Sequence, residues 1–303
     1  MGHSSGAGLL RGLNIELESL VDLVAPSVVR VDDGSRLTAT GVIWSEDGLI
    51  VSTSHGVERD ENLAIEGMGG ERLTAVLVGR DPDTDLALLR VNATGLTAIR
   101  VAPSEVAKIG HLVLAVARPG NSGLQATLGI ITCRMNSQTG GDDEYLLYTD
   151  AVLYPGFSGG PLVDVSGQAV GIVNLMFGRG KGTALGVPVI AHTVEALLSQ
   201  GRVRRAYLGI RTQPVTLTPA VRAAMGREQE RALLIINVEP GSPAELAGML
   251  MGDTLVAIDA NPILDVDGLR RELRLNHAGL AVTVSIIRGG DARELTVTLG
   301  IEE

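Results

Sequence analysis

The chain has 303 residues, enough to bury a core in each of two domains. Hydrophobic residues make up 45% but aromatic ones only 2%, so Val, Leu, Ile and Ala must fill the interior. A net charge of -10 argues against a nucleic-acid partner, which needs a basic face to displace counterions, and the lone cysteine, Cys133, excludes an intrachain disulfide or a cysteine-built metal site.

The opening stretch has no cationic segment leading into a sustained apolar run, so no signal peptide is expected. Taken as the true start, it predicts a soluble cytoplasmic protein; a removed anchor would instead place the chain in the periplasm or cell envelope. Residues 1–13 are expected as a tail. Leu13, Leu17, Leu20, Val21 and Val24 then recur at helical spacing, with Asn14 as N-cap and Pro26 as terminator. From Val28 the pattern changes to short strands, among them "TATGVIW", "GLIVSTS", "TAVLVGR", "DLALLRV", "HLVLAVA", "ATLGIIT", "YLLYTDA", "GPLVDVS" and "QAVGIVNL". Gly, Asp, Asn and Pro turns separate them, which argues for antiparallel barrels or a sandwich. The glycine-rich "MFGRGKGTAL" fits a regulatory loop or an ordinary hairpin equally well. Helix returns at "IAHTVEALLSQG" and ends at Gly201. The first unit is thus expected over 14–199, a linker over 200–206 and a second unit over 207–303. That second unit reads as a small α+β domain. "ALLIINVEPGSPAELAG" gives strand, turn and short helix, with Ser242 and Glu245 as a capping box and Pro243 at the first helical position. "DTLVAID" is a strand, "DVDGLRRELRL" a helix with Leu269 and Leu273 on one face, and "AVTVSIIRG" with "ELTVTLG" a closing pair.

"GFSGGPLVD", Gly156 to Asp164, sets a small hydroxyl among glycines. The spacing also matches the G-x-S-x-G elbow of α/β-hydrolases, but an elbow needs a helix directly after the serine, and here Pro161 leads into strand, turn and strand. The other known order is His, Asp, Ser on paired barrels. His55 ends the strand in "DGLIVSTSHGVE", and Asp85 stands at the entry to the leucine-rich strand in "GRDPDTDLALL". A serine hydroxyl needs an imidazole to take its proton, and the imidazole needs a carboxylate to fix its tautomer. The glycines would let the N–H groups of Gly156 and Ser158 point into one oxyanion hole. The five histidines show no paired metal-ligand spacing, so no metal and no other cofactor is expected.

"TSH", "GRDPDTDLALL" and "TDAVLYPGFSGGPLVD", in that order, resemble the HtrA/Deg family, and the likeness runs from about Asn14 to Glu303. The resemblance implies a mainly β fold: the double antiparallel β-barrel of trypsin-like proteases plus a small α+β PDZ domain. It implies His55 as general base, Asp85 as orienting carboxylate and Ser158 as nucleophile, with the hole at Gly156 and Ser158. Leu153 and the strand from Val173 through Asn174 to Met176 would wall the specificity pocket. "AYLGI" resembles the family's carboxylate-binding loop, with Leu208, Gly209 and Ile210 holding a peptide C-terminus. The implied activity is ATP-independent endoproteolysis of unfolded or misfolded polypeptides in quality control, and the implied assembly a homotrimer. A protease-like scaffold that acts through its PDZ groove is the alternative.

The chain departs from the family in three respects. Phe157 and Tyr154 each stand where Asn is usual, Gly56 follows His55 where an apolar residue is usual, and the N-terminal segment has no aromatic residue for trimer contacts. The ring of Phe157 is expected to crowd the oxyanion turn, so Phe157→Asn is expected to raise activity. Gly56 is expected to loosen the backing of the imidazole.

Overall fold

A computed structural model describes residues 4–35, 39–67, 69–120, 123–136, 145–178, 181–201, 206–219, 222, 228–275 and 279–301. The described chain divides into two compact units, one running through residue 201 and one from 206 onward. Residues 202–205 of the expected linker lie outside the described residues.

The first unit opens with α1 (Ser4–Val24). Asn14 is therefore inside the helix and not its N-cap, and residues 4–13, expected as a tail, are helical. The leucine stripe continues backward through Leu10, which Gly8 and Gly12 had masked as a loop signal. Pro26 lies in the single 3₁₀ turn, Ala25–Ser27, that follows.

Two closed barrels come next. β1 (Val28–Asp32), β2 (Ala39–Ile43), β3 (Leu49–Thr53), β4 (Ala64–Glu66), β5 (Arg72–Asp81) and β6 (Leu86–Val91) close in the order β1-β2-β3-β6-β5-β4. β7 (Leu112–Ala117), β8 (Gln125–Asn136), β9 (Tyr145–Thr149), β10 (Pro161–Val163), β11 (Ala169–Val173) and β12 (Gly182–Gly186) close as β10-β11-β12-β9-β8-β7. Within "MFGRGKGTAL", β12 pairs antiparallel with β11 and the Lys181 N–H donates to the Gly178 carbonyl at 2.8 Å, while residues 179 and 180 lie outside the described residues.

Alternation along the strands builds three cores. Ile50, Ala87 and Leu89 fill the first barrel, while their neighbours Val51, Leu86 and Leu88 face outward. Val113, Ala115 and Val173 fill the second, and Leu114, Val116 and Ile172 face outward. The outward sets meet in one shared core, closed by Leu20 and Val24 of α1 and by Val189, Ile190, Val194 and Leu197 of α2 (Val187–Gln200). Burial on both faces explains why these strands read as continuous apolar runs. α2 stops at Gly201, whose φ of 69° forms a left-handed cap.

The second unit pairs β13 (Ala206–Tyr207) with β20 (Gly300–Ile301). Its main sheet runs β14 (Ile210–Thr216), β15 (Arg231–Val238), β16 (Thr254–Ile258), β18 (Ala281–Arg288) and β19 (Asp291–Thr298), with β17 (Asn261–Pro262) added beside β16. α3 (Pro243–Leu246) is capped by the Ser242 hydroxyl, which accepts from the Glu245 N–H at 3.2 Å. The Glu245 carboxylate reaches back to the Gly241 N–H at 2.6 Å, one residue before the expected partner. α4 (Val266–Leu275) buries Leu269 against the sheet, with Leu273 beside it.

Candidate active site

Strand register brings the first two candidates together. β3 and β6 pair with Thr53 opposite Leu86, so the next residues outward, Ser54 and Asp85, are neighbours, and the Ser54 N–H donates to the Asp85 carbonyl at 2.8 Å. Asp85 has φ 53°, a left-handed conformation that aspartate tolerates better than most residues. Its carboxylate is buried and takes three donors. The His55 N–H reaches Oδ1 at 2.8 Å, His55 Nδ1 contacts Oδ2, and Asn174 Nδ2 donates to Oδ2 at 3.0 Å. With Nδ1 committed to Asp85, Nε2 is the nitrogen left to act on a hydroxyl.

Asn174 comes from the other barrel, directly after β11. It is fully buried, and its Oδ1 accepts from the Met176 N–H at 2.9 Å. The next residue, Leu175, donates its N–H to Ser158 Oγ at 3.4 Å. Two consecutive residues thus touch Asp85 and Ser158, which sets all three candidates around one point between the barrels. Among the described residues Ser158 Oγ has no hydrogen bond to His55; such contacts are often long before a substrate tightens them.

Tyr154-Pro155-Gly156-Phe157 is a turn closed by the Phe157 N–H on the Tyr154 carbonyl at 3.0 Å, with Gly156 at φ 89°. Proline second and a positive-φ glycine third are what a type II turn requires. Gly159, at φ 87°, has no room for a side chain: a Cβ there would sit 1.9 Å from the Thr40 carbonyl oxygen. A Cβ at Gly160 would sit 2.3 Å from the Val116 carbonyl oxygen. Neither the Gly156 N–H nor the Ser158 N–H has an acceptor among the described residues, as donors reserved for an oxyanion would require.

The departures have local explanations. Phe157 is fully buried in the second barrel's core, and its ring meets that of the exposed Tyr154 edge to face at 5.8 Å. It leaves the turn uncrowded, so the expected gain from Phe157→Asn loses its basis. Gly56 is not a void either: a Cβ there would lie 2.6 Å from Ala39 Cβ and 2.8 Å from Thr53 Oγ1. The segment after His55 is held instead by the buried Asp33, whose carboxylate accepts from the N–H groups of Glu58 at 2.9 Å and Arg59 at 3.3 Å. Burial pushes Asp33 upward, but the Ser35 hydroxyl and these N–H donors outweigh it and hold the group below its ordinary range.

Of the residues expected around the specificity pocket, Leu153 and Val173 meet in one apolar cluster. Asn174 is committed to Asp85, and Met176 is exposed. In the second unit, Gly209 has φ 80°, and its missing Cβ would lie 2.2 Å from Ser242 Cβ. The Leu208 and Gly209 carbonyls are taken by Ala244 and Glu239, both at 2.9 Å, whereas their N–H groups have no acceptor among the described residues. Ile210 begins β14, beside Val238. Sequence reasoning missed the bond from Asn174 to Asp85, because nothing local marks a contact 89 residues away.

A family model for the trypsin-like peptidase domain matches residues 39–172, and one for the PDZ domain matches 206–299. The "Probable periplasmic serine endoprotease DegP-like" of Chlamydia trachomatis serovar D is 34% identical over 279 residues, covering 89% of this chain and 55% of the relative. The protein of that name from Rhizobium meliloti is 32% identical over 271 residues, covering 88% and 53%. The chain spans about half the length of the curated relatives it matches. Among solved structures, the serine endoprotease from Yersinia pestis superposes with a TM-score of 0.79 at 30% identity, covering 94% of this chain and 98% of that one. The HtrA-type protease AlgW with decapeptide gives 0.79 at 25% identity, covering 94% and 98%.

Fold, register and matches agree on the class: a trypsin-fold peptidase domain followed by a PDZ domain. Within that class the chain belongs to the HtrA/Deg family of serine endoproteases.

Proposed function

We propose that the chain is an ATP-independent serine endopeptidase of protein quality control that cleaves unfolded or misfolded polypeptides. Ser158 Oγ attacks the scissile carbonyl carbon while His55 Nε2 takes its proton. His55 returns that proton to the departing amine, and water then releases the acyl group by the same steps in reverse roles. Asp85 holds the imidazole tautomer and stabilises its cation, and the N–H groups of Gly156 and Ser158 take the developing oxyanion. The observation that carries this is the Asp85 carboxylate, buried yet satisfied by the His55 ring, the His55 N–H and the Asn174 amide. A charge that costly to bury is retained where chemistry uses it.

The apolar cluster at Leu153 and Val173 supports a small or medium aliphatic side chain before the cut bond. The free N–H groups of Leu208 and Gly209, with Ile210 beginning the adjoining strand, support capture of a peptide C-terminus at the PDZ unit. AlgW, a relative, carries a decapeptide in its own structure. Leu9, Leu10 and Ile15, exposed on α1, are the aliphatic candidates for homotrimer contacts.

One observation favours the scaffold alternative: Ser158 Oγ is bonded to Leu175 and not to His55. Hydrolysis of an unfolded protein such as reduced casein separates the two. The enzyme predicts cleavage without ATP that falls about 10⁴-fold or more in Ser158→Ala. Equal turnover by the parent chain and Ser158→Ala, or none by either, contradicts it.

A further inference from the structure

The Gly-rich turn around Ser158 is gripped from the first barrel by one residue, Thr40 of β2, which is fully buried. Its hydroxyl donates to the Gly156 carbonyl at 2.7 Å and accepts from the Arg118 N–H at 3.0 Å. Its N–H donates to the Ser158 carbonyl at 3.2 Å, and its own carbonyl accepts from Ser52 Oγ at 2.7 Å. Thr40 thus holds the carbonyls of both residues whose N–H groups are left without acceptors. The turn is also moulded to Thr40, since the carbonyl oxygen bars a Cβ at Gly159 and Thr40 Cγ2 would lie 3.3 Å from one at Gly160.

Taking Ser158 as the nucleophile proposed above, we infer that the Thr40 hydroxyl is a positioning group for the oxyanion hole. It orients the Gly156 turn across the inter-barrel boundary without touching substrate. The peptide plane joining Gly156 to Phe157 is pinned at both ends, by Thr40 on the Gly156 carbonyl and by the Tyr154 carbonyl on the Phe157 N–H. Releasing one end lets the plane rotate and carries Gly156 with it. The half-buried Gly156 carbonyl would lose its partner and the buried Arg118 N–H would be left unpaired, which favours a shift of the turn. Displacing a donor by even about 1 Å from the oxyanion position is enough to slow chemistry about 10²-fold.

Two substitutions separate hydroxyl from volume. Thr40→Val keeps the shape and loses the hydroxyl; Thr40→Ser keeps the hydroxyl and opens a methyl-sized gap. The measurements are kcat and KM on a peptide substrate, the rate of fluorophosphonate labelling, and Tm. Thr40→Val is expected to lower kcat and the labelling rate about 10- to 100-fold with KM within about twofold, and Thr40→Ser to recover most of that loss even if its Tm is the lower. Activity that follows Tm and not the hydroxyl, or a Thr40→Val enzyme with parental kcat, overturns the inference. If Thr40→Val fails to fold, Thr40→Cys replaces it, and the thiol, a weaker donor, must give lower kcat than Thr40→Ser. A parent chain that is neither labelled nor active refutes the Ser158 assignment itself, whatever the Thr40 variants do.

Discussion

At the scale of single residues, the site depends on how one buried carboxylate is satisfied. Asn174 supplies the donor to Asp85 that comes from the opposite barrel, and it cannot be replaced by water because the position is closed. Hydrogen bonds to charged groups contribute about 1.5–3 kcal/mol, so Asn174→Leu should lower kcat about 10- to 100-fold, as steady-state kinetics on a peptide substrate would show. Unchanged kcat would remove Asn174 from the Asp85 support. Phe157→Asn makes the opposite use of burial. It exchanges a fully buried ring for an unpaired amide and should cost about 3–5 kcal/mol in a denaturant titration, with no gain in turnover. His55, Asp85 and Ser158 were legible in the sequence as candidates because the proposed chemistry demands those side chains in a known order. Asn174 and Thr40 were not, since each acts through a partner on the other barrel, 89 and 116 residues away.

At the scale of elements, glycines decide where the backbone can come close. Gly209 combines a positive φ with a Cβ position already occupied by Ser242, so the loop before β14 and the cap of α3 are one packed unit. Gly209→Ala should weaken binding of a peptide with a free C-terminus at least about tenfold, measured by fluorescence anisotropy. Parental affinity would detach that loop from peptide capture. Strand positions were largely readable from apolar runs and turn residues, and so was the end of α2 at Gly201. β4, with only Ala64–Glu66, is too short to show a period, and β12 was hidden by its glycines. The start of α1 was misplaced because Gly8 and Gly12 weaken the helical signal there. Choosing barrels over a sandwich needed strand order, which alternation alone does not encode.

At the scale of the molecule, each unit is tied together by a depressed carboxylate, and both ties respond to pH in one direction. Burial pushes Asp253 upward, but the bidentate Arg288 guanidinium, at 2.7 Å to each oxygen, and the Leu250 N–H hold it below its ordinary range. A carboxyl depressed in the folded state stabilises above its unfolded pKa, about 4, and loses that contribution as pH falls through the folded value. Protection factors of the amides in β15 and β16, corrected for the intrinsic exchange rate at each pH, should therefore fall below about pH 4 in the parent. Asp253→Asn should exchange faster than the parent at pH 7, with the gap closing on acidification; a gap that widens would reverse the sign. Asp33 predicts the same trend for the segment after His55.

Whether His55 and Ser158 act as one unit is tested most directly by mapping the site of fluorophosphonate modification and its rate at neutral pH. The parent chain should be modified at Ser158 alone, and His55→Ala should slow the reaction by about 10³-fold or more while the fold persists. Modification at another serine, or an equal rate in His55→Ala, would show that the pair formed by His55 and the buried Asp85 does not activate Ser158.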